Sequence, residues 1–448
     1  MISKQTLGQI ITDYYQKDLP KGIERELTID LRLPIQRAIT IMGPRRCGKT
    51  YYLYSLIRQL RSQGIRKNRT LYVNFENPQW TQADLEDLMQ LMEVYFEMYP
   101  QCKEEEIWLF FDEIQNIENW ERFIRGLLDT QKAHIFLSCS SSKLLSKEIA
   151  TALRGRNLSY LLLPFSFSEF LKTQGIIYKK YLSSQERSKI QYAMKEYFSY
   201  GGYPEAILYS KERERIINEI IEVTIYRDLI ERHNIRNHKL VKLMFNYLIQ
   251  AKEFSVHKFY QFLRSLPMRV SKNSLYNYLG FFNDAFLFFP LRKFSFSLKY
   301  REQSIAKIFT VDNVFITTIL GEDHGKKLEN VVFLSLLRQG YELNKHLFYY
   351  VTSSGLNEVD FLVKDEKETL HLIHVCFDPS HYLTKEREVK SLVQSAKEVH
   401  CKNLIVVTFD AEFEEKYEGF NVRFIPLWRW LLDDGSALNR TPLTVNPS

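Results

Sequence analysis

The run Gly43-Pro44-Arg45-Arg46-Cys47-Gly48-Lys49-Thr50 constrains this chain more than any other feature, because it fits G-x-x-x-x-G-K-[S/T] and joins two stretches of different periodicity. The short apolar run Ala38–Met42 before it is of β type, and residues 51–64 after it have helical spacing with a glycine stop. In such a strand–loop–helix the glycines let backbone N–H groups turn toward phosphates, and the helix N-terminus adds the positive end of its dipole. The whole run Gly43–Thr50 then binds nucleotide: Lys49 reaches the β- and γ-phosphates of ATP and Thr50 holds Mg²⁺. Arg45 and Arg46 lie in the loop itself but suit an adjacent domain equally well. A plain glycine-rich turn would share the letters but not the flanking strand and helix.

A second element, Ile107-Trp108-Leu109-Phe110-Phe111-Asp112-Glu113, is an apolar strand that delivers two carboxylates at its C-terminal end, where open α/β sheets bind ligands. Alone it would read as structural. Downstream of the phosphate loop it becomes the expected partner, with Asp112 holding Mg²⁺ and Glu113 polarising the attacking water. Strands at Thr70–Phe75 and His134–Ser138, with helices near Thr81–Met98 and Asn119–Thr130, complete an alternation that predicts a parallel sheet covered on both faces, over residues 1–165.

Beyond Pro164 the chain turns helical from Ser166 to Gln250, interrupted at Tyr200-Gly201-Gly202-Tyr203-Pro204, and reads as a helical lid over 166–250. Residues 251–310 show helix, helix and β-like alternation, the order of a winged-helix-like domain whose recognition helix starts at Ser271. Its expected hairpin, Leu291–Lys307, carries Arg292, Lys293, Lys299, Arg301 and Lys307 against Glu302, interleaved with Phe294, Phe296 and Tyr300. Such a wing suits DNA contact, and it equally suits an ordinary solvated face or packing on a neighbouring domain. From 311 to 448 the chain is α/β again, with a helix at Leu328–Gln339 and strands near Leu347–Val351, Glu358–Val363, Leu370–Cys376 and Asn403–Thr408.

Length and composition set bounds. At 448 residues the chain has room for two to four domains, and 45% hydrophobic with 26% charged residues excludes a disordered or collagen-like chain. The 31 Phe and 27 Tyr suit core filling better than base stacking, and a net charge of +7 selects no partner class. Five cysteines without a C-x-x-C pair indicate neither a disulfide framework nor a zinc knuckle. The N-terminus lacks the apolar stretch of a signal peptide, and no uncharged apolar run approaches the roughly 18 residues that span a bilayer. The expectation is a soluble, cytoplasmic protein with no membrane partner.

At this point the residues resemble a family, the AAA-type P-loop ATPases of bacteria and archaea that carry a C-terminal domain of unknown function. The matching text is GPRRCGKT, FFDEIQNIENWERFIRGLLD, the strand end Leu137-Ser138-Cys139-Ser140-Ser141-Ser142, Leu153-Arg154-Gly155-Arg156, PFSFSEFL, YGGYPEAI, LENVVFLSLLRQG, EVDFLV and the segment around Thr384 and Arg387-Glu388. The resemblance implies that Ser138 or Ser140 is a polar sensor beside the γ-phosphate, that Arg156 is an arginine finger or phosphate sensor with Arg154 as competitor, and that Gln115 helps orient water. The bland alternatives are a strand-end cap for the serines and a surface ion pair for Arg156.

The C-terminal region resembles a restriction-endonuclease-like core, in which two acidic groups bind Mg²⁺ and a lysine organises the nucleophilic water. Here Glu329 sits on the helix and Glu358-Val359-Asp360 on a strand, but the next strand reads Ile373-His374-Val375-Cys376 and the lysine is missing. The domain is therefore expected not to cut, with Lys364 as the nearest candidate to take the role. The resulting fold class is an α/β P-loop AAA-type core with helical lid, winged-helix-like segment and a C-terminal nuclease-like domain. The function expected is an ATPase using ATP and Mg²⁺ to rearrange these appendages. A slow ATP-gated signalling or scaffold switch and an ATP-regulated DNA nuclease are the competing readings; a DNA or protein partner and a homo-oligomer stay open.

Overall fold

The structure is a computed structural model that describes residues 1–141, 153–365 and 368–433. The chain divides into two compact units, one of residues 1–163 with 284–286, the other of residues 164–283 and those from 287 onward.

The first unit opens with α1 (Lys4–Gln16), capped by Ser3 and burying Leu7, Ile11 and Tyr14 along one stripe. It continues through β1 (Ala38–Met42), α2 (Lys49–Ser62), β2 (Thr70–Asn74), α3 (Leu85–Met98), β3 (Ile107–Asp112), α4 (Trp120–Thr130), β4 (Ala133–Cys139) and β5 (Asn157–Leu161). The strands lie in the order β2-β3-β4-β1-β5, and all are parallel. Every residue of β1 and β3 is buried, as continuous apolar strands must be when helices cover both faces. Helix α4 buries Trp120, Phe123, Ile124, Leu127 and Leu128, spaced three and four apart. The edge strand β5 is only half-buried and carries no apolar run, so periodicity did not reveal it. Because the strands are parallel, the ends of β1, β3 and β4 open on one side of the sheet.

The second unit begins with α5 (Phe167–Thr173), α6 (Ser184–Tyr200), α7 (Pro204–Leu208), α8 (Arg213–Val223) running into a π-helical stretch Thr224–Glu231, and α9 (His238–Gln250). Then come β6 (Glu253–Phe254), α10 (Val256–Arg264), α11 (Lys272–Asp284), β7 (Phe288–Leu291), α12 (Leu298–Gln303) and β8 (Ala306–Thr310), whose strands form an antiparallel sheet in the order β6-β8-β7. Helices α13 (Asn313–Leu320) and α14 (His324–Arg338) lead to β9 (Leu347–Val351), β10 (Glu358–Lys364), β11 (Thr369–Cys376), α15 (Tyr382–Val399), β12 (Leu404–Thr408), β13 (Phe413–Tyr417), β14 (Phe420–Pro426) and α16 (Leu427–Leu432). These six strands make one mixed sheet, β13-β14-β12-β11-β10-β9. No helix among the described residues is long and apolar enough to cross a membrane.

The expected hairpin at Leu291–Lys307 needs correcting, because the six-residue helix α12 stands between its strands. Most of its charges are also engaged within the unit. Lys307 is buried, Arg292 pairs with Glu302 at 3.1 Å, and the Arg301 guanidinium lies 5.4 Å from the Phe348 ring centre.

The break between α6 and α7 has a steric cause. Gly201 has φ +72°, and a β-carbon there would fall 1.5 Å from Asp312 Oδ1. Buried Asp312 accepts the Gly202 N–H at 2.7 Å and the Val314 N–H at 2.9 Å, tying this turn to the start of α13. Burial pushes its carboxyl up to about 6, while the two N–H donors pull it down. Gly201→Ala is therefore expected to destabilise the protein by about 3 kcal/mol or more, read from urea unfolding followed by tryptophan fluorescence. A loss below about 1 kcal/mol would show that the turn relaxes freely.

Candidate nucleotide site

The phosphate loop leaves β1 at a position only glycine can occupy. A β-carbon on Gly43 would lie 2.0 Å from the Leu162 carbonyl oxygen, because the chain just after β5 runs against it. Gly48, before α2, has φ +101°, in the left-handed region where glycine carries no steric cost. Arg25 fastens the loop from the irregular segment before β1, donating from Nη1 to the Cys47 carbonyl (2.9 Å) and from Nη2 to the Leu163 carbonyl (2.5 Å). Arg45 pairs with Glu76 at 2.7 Å. Cys47 is wholly buried and is one of five cysteines, none of them in a disulfide.

Lys49 opens α2 with its side chain 4% exposed and 3.3 Å from Glu113 Oε1. Its Nζ donates to the carbonyls of Gly43 (3.2 Å) and Pro44 (3.1 Å). Burial opposes charge on both partners, but each supplies the other's counter-charge. The Lys49 pKa is raised, and the Glu113 carboxyl is held down at about 2. Glu113 has φ +53°, a strained conformation for a non-glycine residue, just past the end of β3.

Asp112 is fully buried at the end of β3 and accepts three hydroxyl groups. Thr50 Oγ1 donates to Oδ2 at 2.7 Å, Tyr72 OH donates to Oδ2 at 2.8 Å, and Ser138 Oγ donates to Oδ1. Burial, and next the Glu113 charge, raise the Asp112 pKa, while these hydroxyls lower it. Burial and then Asp112 raise the Tyr72 pKa, so its hydroxyl stays protonated and donates. Ser138 also accepts the Glu113 N–H at 2.9 Å. Gln115 Nε2 donates to Glu113 Oε2 at 2.5 Å and to Ser140 Oγ at 3.3 Å, while Gln115 Oε1 is buried without a partner among the described residues.

The sheet thus brings together Gly43–Thr50, Asp112, Glu113, Gln115, Ser138 and Ser140. It does not bring Arg156. The Arg156 carbonyl accepts the Ala38 N–H at 3.0 Å, at the start of β1 and so at the opposite end of the sheet from the loop, and its guanidinium pairs with Asp129. Arg154 is exposed in the preceding turn, and Ser142 lies outside the described residues. Two contributors escaped sequence reasoning. Tyr72 sits in an apolar strand and reads as core, and Arg25 lies in a stretch without periodicity.

In the second unit the acids Glu358 and Asp360, read in the sequence as those of a nuclease-like core, lie beside a lysine that comes from β8 rather than from the strand after Asp360. Lys307 Nζ lies 2.8 Å from Glu358 and 3.0 Å from Asp360, with its side chain 2% exposed. Asp360 Oδ2 also meets His374 Nδ1 and the Val375 N–H, each at 3.0 Å, and His374 Nε2 is 3.5 Å from Glu388. Lys364, the expected candidate, instead donates to the Asp365 carbonyl. Glu329 and Lys307 line a cavity of about 220 Å³, and burial, then Asp360, push the Glu329 carboxyl up to about 7.

Residues 35–171 match the AAA domain. An uncharacterized protein of Methanocaldococcus jannaschii, MJ1544, is 36% identical over 445 residues, covering 96% of this chain and 96% of that one. The chain belongs to the same family as that protein. A further uncharacterized protein, from Haemophilus influenzae, is 30% identical over 346 residues, 75% of this chain and 82% of that one. Residues 191–325 and 324–430 match two domains of unknown function, DUF8612 and DUF4143. Among solved structures, the Walker-type ATPase PABY2304 of Pyrococcus abyssi aligns at a TM-score of 0.38 with 11% identity, over 71% of this chain and 96% of that one. The Aeropyrum pernix ORC1 protein, solved in complex with DNA, aligns at 0.31 with 10% identity, over 71% and 91%.

Proposed function

We propose that this AAA-domain protein binds and hydrolyses ATP with Mg²⁺, and that its nucleotide state rearranges the helical, winged-helix-like and nuclease-like regions. The observation that carries the reading is the convergence of Lys49 and Thr50 at the start of α2 with Asp112 and Glu113 at the end of β3, within hydrogen-bond or ion-pair distance. Thr50 and Asp112 are a hard-oxygen pair suited to Mg²⁺, which would neutralise phosphate charge there. Lys49 supplies the cation for the phosphates. As the phosphates draw Lys49 to themselves, Glu113 loses its counter-charge and becomes able to accept a proton from the attacking water. Gln115 steadies the Glu113 carboxylate through Nε2, and its open Oε1 is an acceptor for that water. Ser138 on β4 and Ser140 just after it hold Glu113 and Gln115.

Lys49→Ala should lose both tight ATP binding and turnover. Glu113→Gln should bind ATP at near wild-type affinity and hydrolyse it about 10²- to 10³-fold more slowly. Parallel binding and phosphate-release assays check this, and wild-type turnover in Glu113→Gln would remove that residue as the water-activating group.

An arginine-finger role for Arg156 requires a second copy of the chain, given its position at the far end of the sheet. Mixing Arg156→Ala with Lys49→Ala chains should then restore ATP turnover. An unchanged rate in Arg156→Ala alone would end the role.

For the nuclease-like region we propose that no phosphodiester cleavage occurs, because Lys307 fills the space between Glu358 and Asp360 where a metal would have to sit. Linear, supercoiled and branched DNA should survive incubation with the protein in Mg²⁺ or Mn²⁺. Cleavage that disappears in Asp360→Ala would overturn this and make Lys307 the lysine of an active site.

A further inference from the structure

We propose that Tyr72 is a positioning residue of the nucleotide site: its hydroxyl fixes the Asp112 carboxylate in the orientation that, with Thr50, receives Mg²⁺. The inference rests on the ATP and Mg²⁺ reading above. It begins from burial, since a wholly buried carboxylate must be held by donors of the protein itself. The three hydroxyls around Asp112 come from different elements. Ser138 on β4 holds Oδ1, while Thr50 on α2 and Tyr72 on β2 share Oδ2. Ser138 and Thr50 each have a second duty, the first accepting the Glu113 N–H and the second serving as the other Mg²⁺ ligand. Tyr72 is thus the donor whose hydroxyl serves the carboxylate from outside the loop and the sensor strand.

The backbone explains why a tyrosine on β2 can do this. In the parallel pairing of β2 with β3, Tyr72 lies opposite Phe110, so strand alternation puts its side chain on the face that Asp112 uses two residues later. Its ring centre is 4.9 Å from that of Tyr54 on α2 and 6.0 Å from that of Tyr14 on α1, which fixes where the hydroxyl points. With the Tyr72 hydroxyl gone, the ring would still fill its space, but Oδ2 would keep Thr50 alone and the carboxylate could turn about its last torsion.

The test is Tyr72→Phe, with binding of a fluorescent ATP analogue measured in EDTA and across a Mg²⁺ titration, alongside the thermal unfolding midpoint. Affinity in EDTA should stay at the wild-type value, while the midpoint falls by a few degrees because the buried Asp112 carboxylate loses one donor. The Mg²⁺ concentration giving half of the metal-dependent gain in affinity should rise about three- to ten-fold, the loss expected for one net hydrogen bond. An unchanged Mg²⁺ requirement overturns the inference. So does an equal loss of affinity in EDTA and in Mg²⁺, which would mark Tyr72 as merely structural. The wild-type and Asp112→Asn proteins separate this from the underlying reading. Metal-dependent binding in wild type that is lost in Asp112→Asn upholds the Mg²⁺ site whatever Tyr72→Phe does, whereas wild-type binding indifferent to Mg²⁺ overturns both.

Discussion

A carboxylate cannot be buried alone, and Asp112 has no exposed surface at all. That single obligation draws a hydroxyl from α2, one from β2 and one from β4 to the same point. The phosphate-loop helix, the neighbouring strands of β3 and the acidic strand end are thereby locked in one arrangement. The apolar faces of β1 and β3 make the lock strong, since hydrogen bonds to a charge weaken with hydration and here there is little.

The loop beside it depends on clearances as much as on charge. Gly43 lies against the Leu162 carbonyl, and Gly48 takes a left-handed turn into α2. Arg25 ties the loop's own carbonyl to the end of the β5 segment, so the loop is held from both sides. Lys49 and Glu113 then satisfy each other inside the protein. Two buried opposite charges are tolerable together, whereas either one alone would be costly. In the proposed function, phosphates entering this site would compete for Lys49, and the same competition would release Glu113 for chemistry.

The second unit solves the same electrostatic problem with different residues. Lys307, His374 and the Val375 N–H surround Asp360, so the acids of β10 are neutralised from β8 and β11. Two sequence-level readings change as a result. The apparent absence of a lysine was an absence from one strand only, and a residue counted as part of a basic wing is a buried counter-charge. What remains exposed around α12 is more apolar and aromatic than basic, with Phe296, Leu298 and Tyr300 on the surface.

Much of this was legible in the residues themselves. Continuous apolar runs mark buried parallel strands, so β1 to β4 were visible, and G-x-x-x-x-G-K-T together with the Asp-Glu strand end named the residues that meet at the site. Local signals fail where an element lacks a period of its own, as in the half-buried strand β5, or where β-like alternation is interrupted by a short helix, as at α12. They fail more deeply for side chains that act at a distance in sequence. Tyr72 looks like any core tyrosine until strand pairing sets it beside Asp112, and Lys307 looks like surface charge until β8 carries it to Glu358 and Asp360. Arg156 shows the converse, a motif residue that the parallel sheet carries to the end opposite the phosphate loop. The sequence by itself determined the elements and the chemistry of the loop, because both follow from neighbours in the chain. Which charge meets which was decided only by the tertiary structure, because burial leaves each charge to be satisfied by whatever the packed strands bring within reach.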